Sequence, residues 1–221
     1  MFYRLTAPPD LHRLYNSAAA RWHKRIAALG YVDAYRAALA NLVPPNTVPQ
    51  RVMDAGCGAG SFAMAYIQDR GHPAVLTRAD PATDMLHAAA TQLAGKACEL
   101  ILLNNTLETL PRAPAQDIIL CAHVLDHCAD PVAALRALGY CLAPKGAILL
   151  IATKPHWCNW LIKLRWRHHS YRPTQVLEAI VAAGLVCTRD MGFASGPPSR
   201  TSHAYLITLT QPEISYADRH R

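Results

Sequence analysis

The chain has 221 residues, 52% of them hydrophobic and 17% charged, a balance that excludes a disordered polymer and suits one α/β domain with a sizeable core. No run of 18 or more apolar residues occurs, which excludes a membrane-spanning helix. The formal net charge of +7 favours anionic partners such as phosphorylated substrates or an acidic membrane face, beside the plainer alternative of ordinary surface lysine and arginine. Seven cysteines, at 57, 98, 121, 128, 141, 158 and 187, are odd in number and form no C-x-x-C pair. They predict a reduced, cytoplasmic protein, not a disulfide framework. Met1 to Leu11 lacks the apolar stretch of a secretory signal.

In chain order, Leu11, Leu14, Tyr15, Ala18, Trp22, Ile26 and Leu29 recur at helical spacing, with Asp10 as N-cap. A second helix reaches about Leu42, where Pro44-Pro45 stops it. Val52-Met53 is a short strand entering a glycine cluster. Residues 60–70 are predicted helical and closed by Gly71. A strand from Ala74 to Thr77 ends near Asp80, and residues 83–94 form a helix closed by Gly95. The apolar runs Cys98–Leu103 and Asp117–Ala122 are predicted as buried strands. Asp130-Pro131 caps a helix that runs to about Leu142. Pro144-Lys145-Gly146 is a turn into a fifth strand, Ala147–Ala152. Residues 173–183 are helix, Leu185–Met191 strand, Gly192–Ser202 loop, and His203–Thr210 a strand with one wetter face. Strand and helix alternate, so the chain implies a parallel sheet covered on both faces. Its ligand belongs at the carboxyl ends of the strands.

The most informative segment is Arg51-Val-Met-Asp54-Ala-Gly56-Cys-Gly58-Ala-Gly60. A strand turns sharply into a helix, glycines let a ligand approach the backbone, and the helix N-terminus offers unpaired N–H donors. A dinucleotide fingerprint would need a third glycine where Ser61 stands. Asp80 lies at the end of the second strand, placed to accept hydrogen bonds from ribose hydroxyls.

These residues carry a family resemblance. "VMDAGCGAGSFA", "ADPATDML", "NTLETLP", "DIILCAHVLDHCADPVAALRAL", "LAPKGAILLIATKP" and "YRPTQVLEAIVAAGL" resemble successive segments of the class I S-adenosylmethionine (SAM) dependent methyltransferases, especially the small-molecule and quinone-type group. The resemblance implies a Rossmann-like, seven-stranded, mostly parallel sheet with its last strand antiparallel and helices on both faces. It implies a helical N-terminal lid over 1–45, a SAM-binding core over 50–210, and an insertion at 153–172 over the acceptor site. It places SAM against Asp54, Ala55, Gly56, Cys57, Gly58, Asp80, Pro81, Met85, Asn105, Thr106, Leu107, Cys121, Ala122 and His123. One departure is Asn105-Thr106, where the family commonly has an Asp facing the adenine amine. A carbonyl or hydroxyl can still accept that hydrogen bond.

Methyl transfer from a sulfonium needs orientation above all, and a base if the acceptor is a hydroxyl or an ammonium. His127, beyond the fourth strand, is the candidate base, with Asp126 to orient it or to touch substrate. His123-Val-Leu-Asp126-His127 mimics a metal motif. It sits at a strand end without a third ligand, so no metal is expected. The insertion "KPHWCNWLIKLRWRHHSYR" mixes tryptophan with basic residues. Tyr15, Trp22, His156, Trp157 and Trp160 are candidate acceptor contacts, and the segment is a candidate for peripheral contact with an anionic membrane or an apolar, acidic substrate, beside the alternative of a lid helix that packs its aromatics on the core. No RNA-binding module is recognisable, so no nucleic-acid partner is expected. The expected acceptor is a small molecule or lipid-like. A SAM-binding partner subunit with weak catalysis and a nicotinamide-dependent oxidoreductase are the alternatives.

Overall fold

The computed structural model describes residues 25–45, 50–93, 99–112, 115–156 and 169–210. The helices described over their full length are α1 (Tyr31–Leu42), α2 (Ser61–Arg70), α3 (Thr83–Leu93), α4 (Pro131–Tyr140), α5 (Pro173–Ala182) and α6 (Gly196–Thr201). The strands are β1 (Arg51–Ala55), β2 (Val75–Ala79), β3 (Glu99–Leu103), β4 (Gln116–Ala122), β5 (Leu142–Thr153), β6 (Leu185–Gly192) and β7 (Ser202–Leu209), and single 3-10 turns occupy Leu107–Thr109 and Leu125–His127.

All seven strands join one sheet in the order β3-β2-β1-β4-β5-β7-β6. Pairing is parallel from β3 through β5, while β7 runs antiparallel to both β5 and β6. The chain steps outward from β1 to β3 and then crosses back to β4, so the order reverses between β1 and β4. A crevice opens beyond the carboxyl ends of two such strands, because their following loops leave in opposite directions.

Side-chain alternation divides the core between the two faces. Val52, Leu76, Ile118, Leu120, Leu149 and Ile151 meet Leu39 and Leu42 of α1 and Phe62 and Ile67 of α2. Met53, Ile119, Cys121, Ile148 and Leu150 meet Leu135 and Leu138 of α4 and Val176 and Ile180 of α5. Each fully buried aliphatic side chain contributes about 1.5–3 kcal/mol of transfer free energy. α4 starts where Asp130 accepts from Val132 N at 2.9 Å and Ala133 N at 3.0 Å, with proline at its first position. That cap satisfies donors the helix itself cannot.

Three predicted elements are corrected. β3 is not buried: it forms the sheet edge beside β2, with Leu100 38% and Leu102 42% exposed, because an apolar run cannot by itself tell an edge strand from an interior one. Pro144-Lys145-Gly146 does not turn the chain before β5. Leu142 already pairs with Gln116, and the register shifts before Ala147 joins Ile118, so the three residues form an irregularity inside a longer strand. Gly192–Ser202 is not all loop, since Gly196–Thr201 is helical with proline in its first turn, where a missing N–H costs nothing. The predicted first helix lies mostly outside the described residues.

Candidate active site

The crevice is built from the turn between β1 and α2. Gly56 N and Cys57 N both donate to Ala79 O, at 2.7 and 3.0 Å, which folds the turn over the end of β2. Gly56 has φ +68° and Gly58 φ +48°, backbone that side-chain-bearing residues rarely adopt. A Cβ at Gly56 would collide with the Val124 side chain, whereas a Cβ at Gly58 would meet nothing within 4 Å. The loop is therefore closed against β4 on one side and open bare backbone on the other.

Asp80 closes the loop from the neighbouring strand. Its Oδ2 accepts from Gly58 N at 2.9 Å and its Oδ1 from Ala82 N at 2.8 Å. Asn104 donates to Asp80 O and Pro81 O, both at 3.2 Å, tying the end of β3 to the same corner. Beneath the loop, Asp54 is buried and its Oδ2 accepts from Ala63 N at 3.3 Å. Burial pushes its carboxyl up to about 7, while the nearby positive charge of Arg78 opposes the rise. Met85 of α3 packs with Ala59 and Ala82 under the turn. Cys57 is buried, and burial pushes its thiol well up.

The far wall comes from β4 and β5. His123 is the one described non-glycine residue with positive φ, 57°, a local strain that surrounding contacts must hold in place. Its N–H continues the β4–β5 ladder to Ile151 O. Its Nδ1 lies 3.0 Å from Thr153 Oγ1, and the Tyr31 ring of α1 stands edge-on to it at 5.3 Å. Tyr31 also shares a 2.8 Å hydrogen bond with Thr201. Thr153 N donates to Asp126 Oδ1 at 3.4 Å. Asp126 is 2% exposed, and burial pushes it up to about 7. Asp126, Thr153 and His123 thus form one hydrogen-bonded chain. His127 is half-buried in the 3-10 turn, its N–H donating to Val124 O.

Asp54, Ala55, Gly56, Cys57, Gly58, Asp80, Pro81 and Met85 gather at the turn. Asn105 and Thr106 lie in the connection after β3, where Asn105 donates to Thr109 O at 3.0 Å. Leu107 and Cys121 point their side chains into the core face under α4, so either could meet a ligand only through backbone. Ala122, His123, Asp126 and His127 follow β4, and His156 follows β5. Tyr15, Trp22, Trp157 and Trp160 lie outside the described residues. Sequence reasoning missed Arg78, Val124, Thr153 and Tyr31. Of these only Arg78 carried a local signal, a lone charge inside a five-residue strand whose residues are all buried. Among the described residues, no group of three His, Cys, Asp or Glu side chains is placed to hold a metal ion.

A glycine-lined strand–helix turn at a sheet's switch point, with a carboxylate reaching across from the next strand, defines a nucleoside-binding α/β domain. A methyltransferase domain family model matches residues 22–185, and the chain belongs to the class I SAM-dependent methyltransferases. Over 188 residues it is 27% identical to the ubiquinone biosynthesis O-methyltransferase of Idiomarina loihiensis, covering 74% of this chain and 76% of that one. The same-named protein of Neisseria meningitidis serogroup C is 30% identical, but over 45% of this chain and 42% of that one. The fold is shared with a putative methyltransferase in complex with the Haloferax volcanii Trm112 activator: TM-score 0.73, 16% identity, 89% of this chain and 98% of that one. It is also shared with the SAM-bound magnesium protoporphyrin IX methyltransferase of Synechocystis PCC 6803: TM-score 0.64, 16% identity, 93% of this chain and 100% of that one.

The cofactor of the family is SAM, and the residues present fit it. The open backbone at Gly58 admits a ligand, and Asp80 is a carboxylate at the height of that backbone. Asp54 and Arg78 put one acidic and one basic group, both buried, beneath the same turn.

Proposed function

We propose that the chain methylates a hydroxyl of a small-molecule or lipid-like acceptor, with the acceptor lying at the carboxyl ends of β4 and β5. The supporting observation is the crossing of Asp80 onto Gly58, which puts an anionic acceptor group beside bare backbone. A carboxylate accepts at about four positions, so Asp80 can hold ribose hydroxyls as well as the two backbone donors. The glycine turn and the segment Asn105–Leu107 would flank the rest of the nucleoside, with Pro81, Met85, Ala55, Cys57, Cys121 and Ala122 closing the pocket. SAM supplies a methyl already activated on sulfur. The chain's task is orientation, worth roughly 7–11 kcal/mol of barrier.

The hydroxyl acceptor is suggested by the O-methyltransferase name of the relative with 76% of its length aligned. As the C–O bond forms, the hydroxyl proton must leave to a base. Two histidines after β4, His123 and His127, are candidates for that base. His127 is the base the sequence suggests, with Asp126 beside it. Thr153, which contacts Asp126 through its N–H and His123 Nδ1 through its hydroxyl, favours His123. With His123 Nδ1–H donating to Thr153 Oγ1, Nε2 carries the ring's lone pair. His156 and the aromatic residues Tyr15, Trp22, Trp157 and Trp160 would surround the acceptor, and the basic-aromatic segment around them would meet an anionic membrane surface.

The test is transfer of labelled methyl from SAM to a panel of catechols, polyprenylated phenols and amines. Labelled phenol ethers are expected, with His123→Ala slowing turnover more than His127→Ala while SAM affinity holds. Turnover on amines alone would overturn the hydroxyl assignment, and a larger loss in His127→Ala would return the base to His127.

A further inference from the structure

Arg78 is an arginine without any exposed surface in a strand that otherwise reads Val-Leu-Thr-Arg-Ala. Its Nε and both Nη atoms have no hydrogen-bond partner among the described residues. A buried guanidinium left unpaired is strongly unfavourable, because it loses its hydration without compensation. Folded chains keep such a group where a partner arrives.

The position says which partner. Arg78 lies in register with Asp54 on the adjacent strand, and its charge acts on that carboxyl. Asp54, however, accepts its hydrogen bond from Ala63 N in α2. The guanidinium reaches past it to the last glycine of the turn, where a Cβ on Gly60 would fall 2.5 Å from Nη2. Only a residue lacking that atom lets the cation lie so close beneath the turn. Gly60 is also the residue before α2, so the guanidinium adds a full positive charge to the partial positive charge of a ten-residue helix's N-terminus. The combination is an anion site whose cation is already desolvated.

We infer that Arg78 is the positive group that holds the amino-acid carboxylate of the cofactor at the glycine turn, while Asp54 and Asp80 face its cationic and sugar parts. This rests on the turn being the SAM site. The alternative role for Arg78 is structural, a counter-charge that keeps two neighbouring carboxylates tolerable.

Calorimetric titration separates the two without any turnover. The probes are S-adenosylhomocysteine (SAH) and its decarboxylated analogue, which keeps adenosine, thioether and amine but lacks the carboxylate. Wild-type protein is expected to prefer SAH by about 10- to 100-fold, the usual worth of a charge-assisted bond. In Arg78→Met that preference should fall to within about threefold, chiefly through weaker SAH binding, with the analogue's affinity little changed. Arg78→Lys, which keeps the charge and loses the fork, should retain part of it and serves if the methionine variant does not fold. A preference that survives in Arg78→Met, or is undiminished in Arg78→Lys when only that variant folds, overturns the inference. So does an equal loss for both ligands, which would mark a structural role. Failure of wild-type protein to bind either ligand would instead remove the cofactor site itself.

Discussion

The two walls of the crevice are assembled differently. On the β1–β2 side, the groups that would meet a nucleoside come from two short stretches, Asp54–Gly60 and Arg78–Ala82. Backbone hydrogen bonds fix them: Gly56 N and Cys57 N to Ala79 O, Gly58 N to Asp80. On the β4–β5 side, Tyr31, His123, Asp126, Thr153 and Thr201 are joined mostly through side chains, across separations as large as 170 residues. A wall set by backbone keeps its shape when side chains change. A wall set by side chains can be retuned one residue at a time, which suits a fixed cofactor facing a variable acceptor.

The largest expected effect comes from breaking the joint between the walls. Gly56 combines positive φ with direct apposition to Val124. Gly56→Ala should cost about 2–4 kcal/mol from the left-handed backbone and the overpacking together. A melting temperature lowered by several degrees and SAH binding weakened beyond detection are the readouts. Unchanged melting and binding would mean that the turn is not held against β4.

Breaking the cofactor wall alone comes next. Asp80→Asn removes the charge and turns an amide donor toward Gly58 N or Ala82 N, and SAH affinity should fall about 10-fold or more, since hydrogen bonds to charged groups are worth roughly 1.5–3 kcal/mol. The acceptor wall should not notice, so the pH dependence of stability set by Asp126 should persist in Asp80→Asn. Loss of affinity below twofold would contradict a part for the Asp80 carboxylate in holding the ligand.

The smallest effect sharpens the acceptor wall. Burial lifts Asp126 to about 7 from an unfolded value of about 3.9. Between those values the folded state binds more protons than the unfolded one, so this group's contribution to stability is fully present below about pH 4 and is lost as pH rises toward 7. Asp126→Asn should therefore flatten the decline in stability between pH 5 and 7.5 by on the order of 2 kcal/mol. Parallel pH–stability curves for the two proteins would contradict the buried, proton-holding Asp126. The same carboxyl sits near Tyr171, Cys121 and Cys128, and the His169 N–H donates to its backbone oxygen.

The contrast between the walls also explains what could be read from sequence. The glycine turn, Asp80 and the alternation of strands and helices are contiguous patterns, and each stands where the spacing placed it. β3 looked buried because its leucines are apolar, yet exposure depends on which neighbours a strand acquires. Thr153 and Tyr31 carried no signal, because a threonine ending an apolar strand says nothing about a histidine 30 positions earlier until β4 and β5 pair. Arg78 could have been found, since one charge in an otherwise buried strand needs a partner. What hid it was the neighbouring Asp80, which already accounted for the end of β2.

The most direct test is a crystal structure grown with SAH. The account predicts the ribose hydroxyls on the Asp80 carboxylate and the amino-acid end over the Gly56–Gly60 turn. A nucleoside lodged elsewhere, or a bound ligand whose ribose does not touch the Asp80 carboxylate, would contradict it.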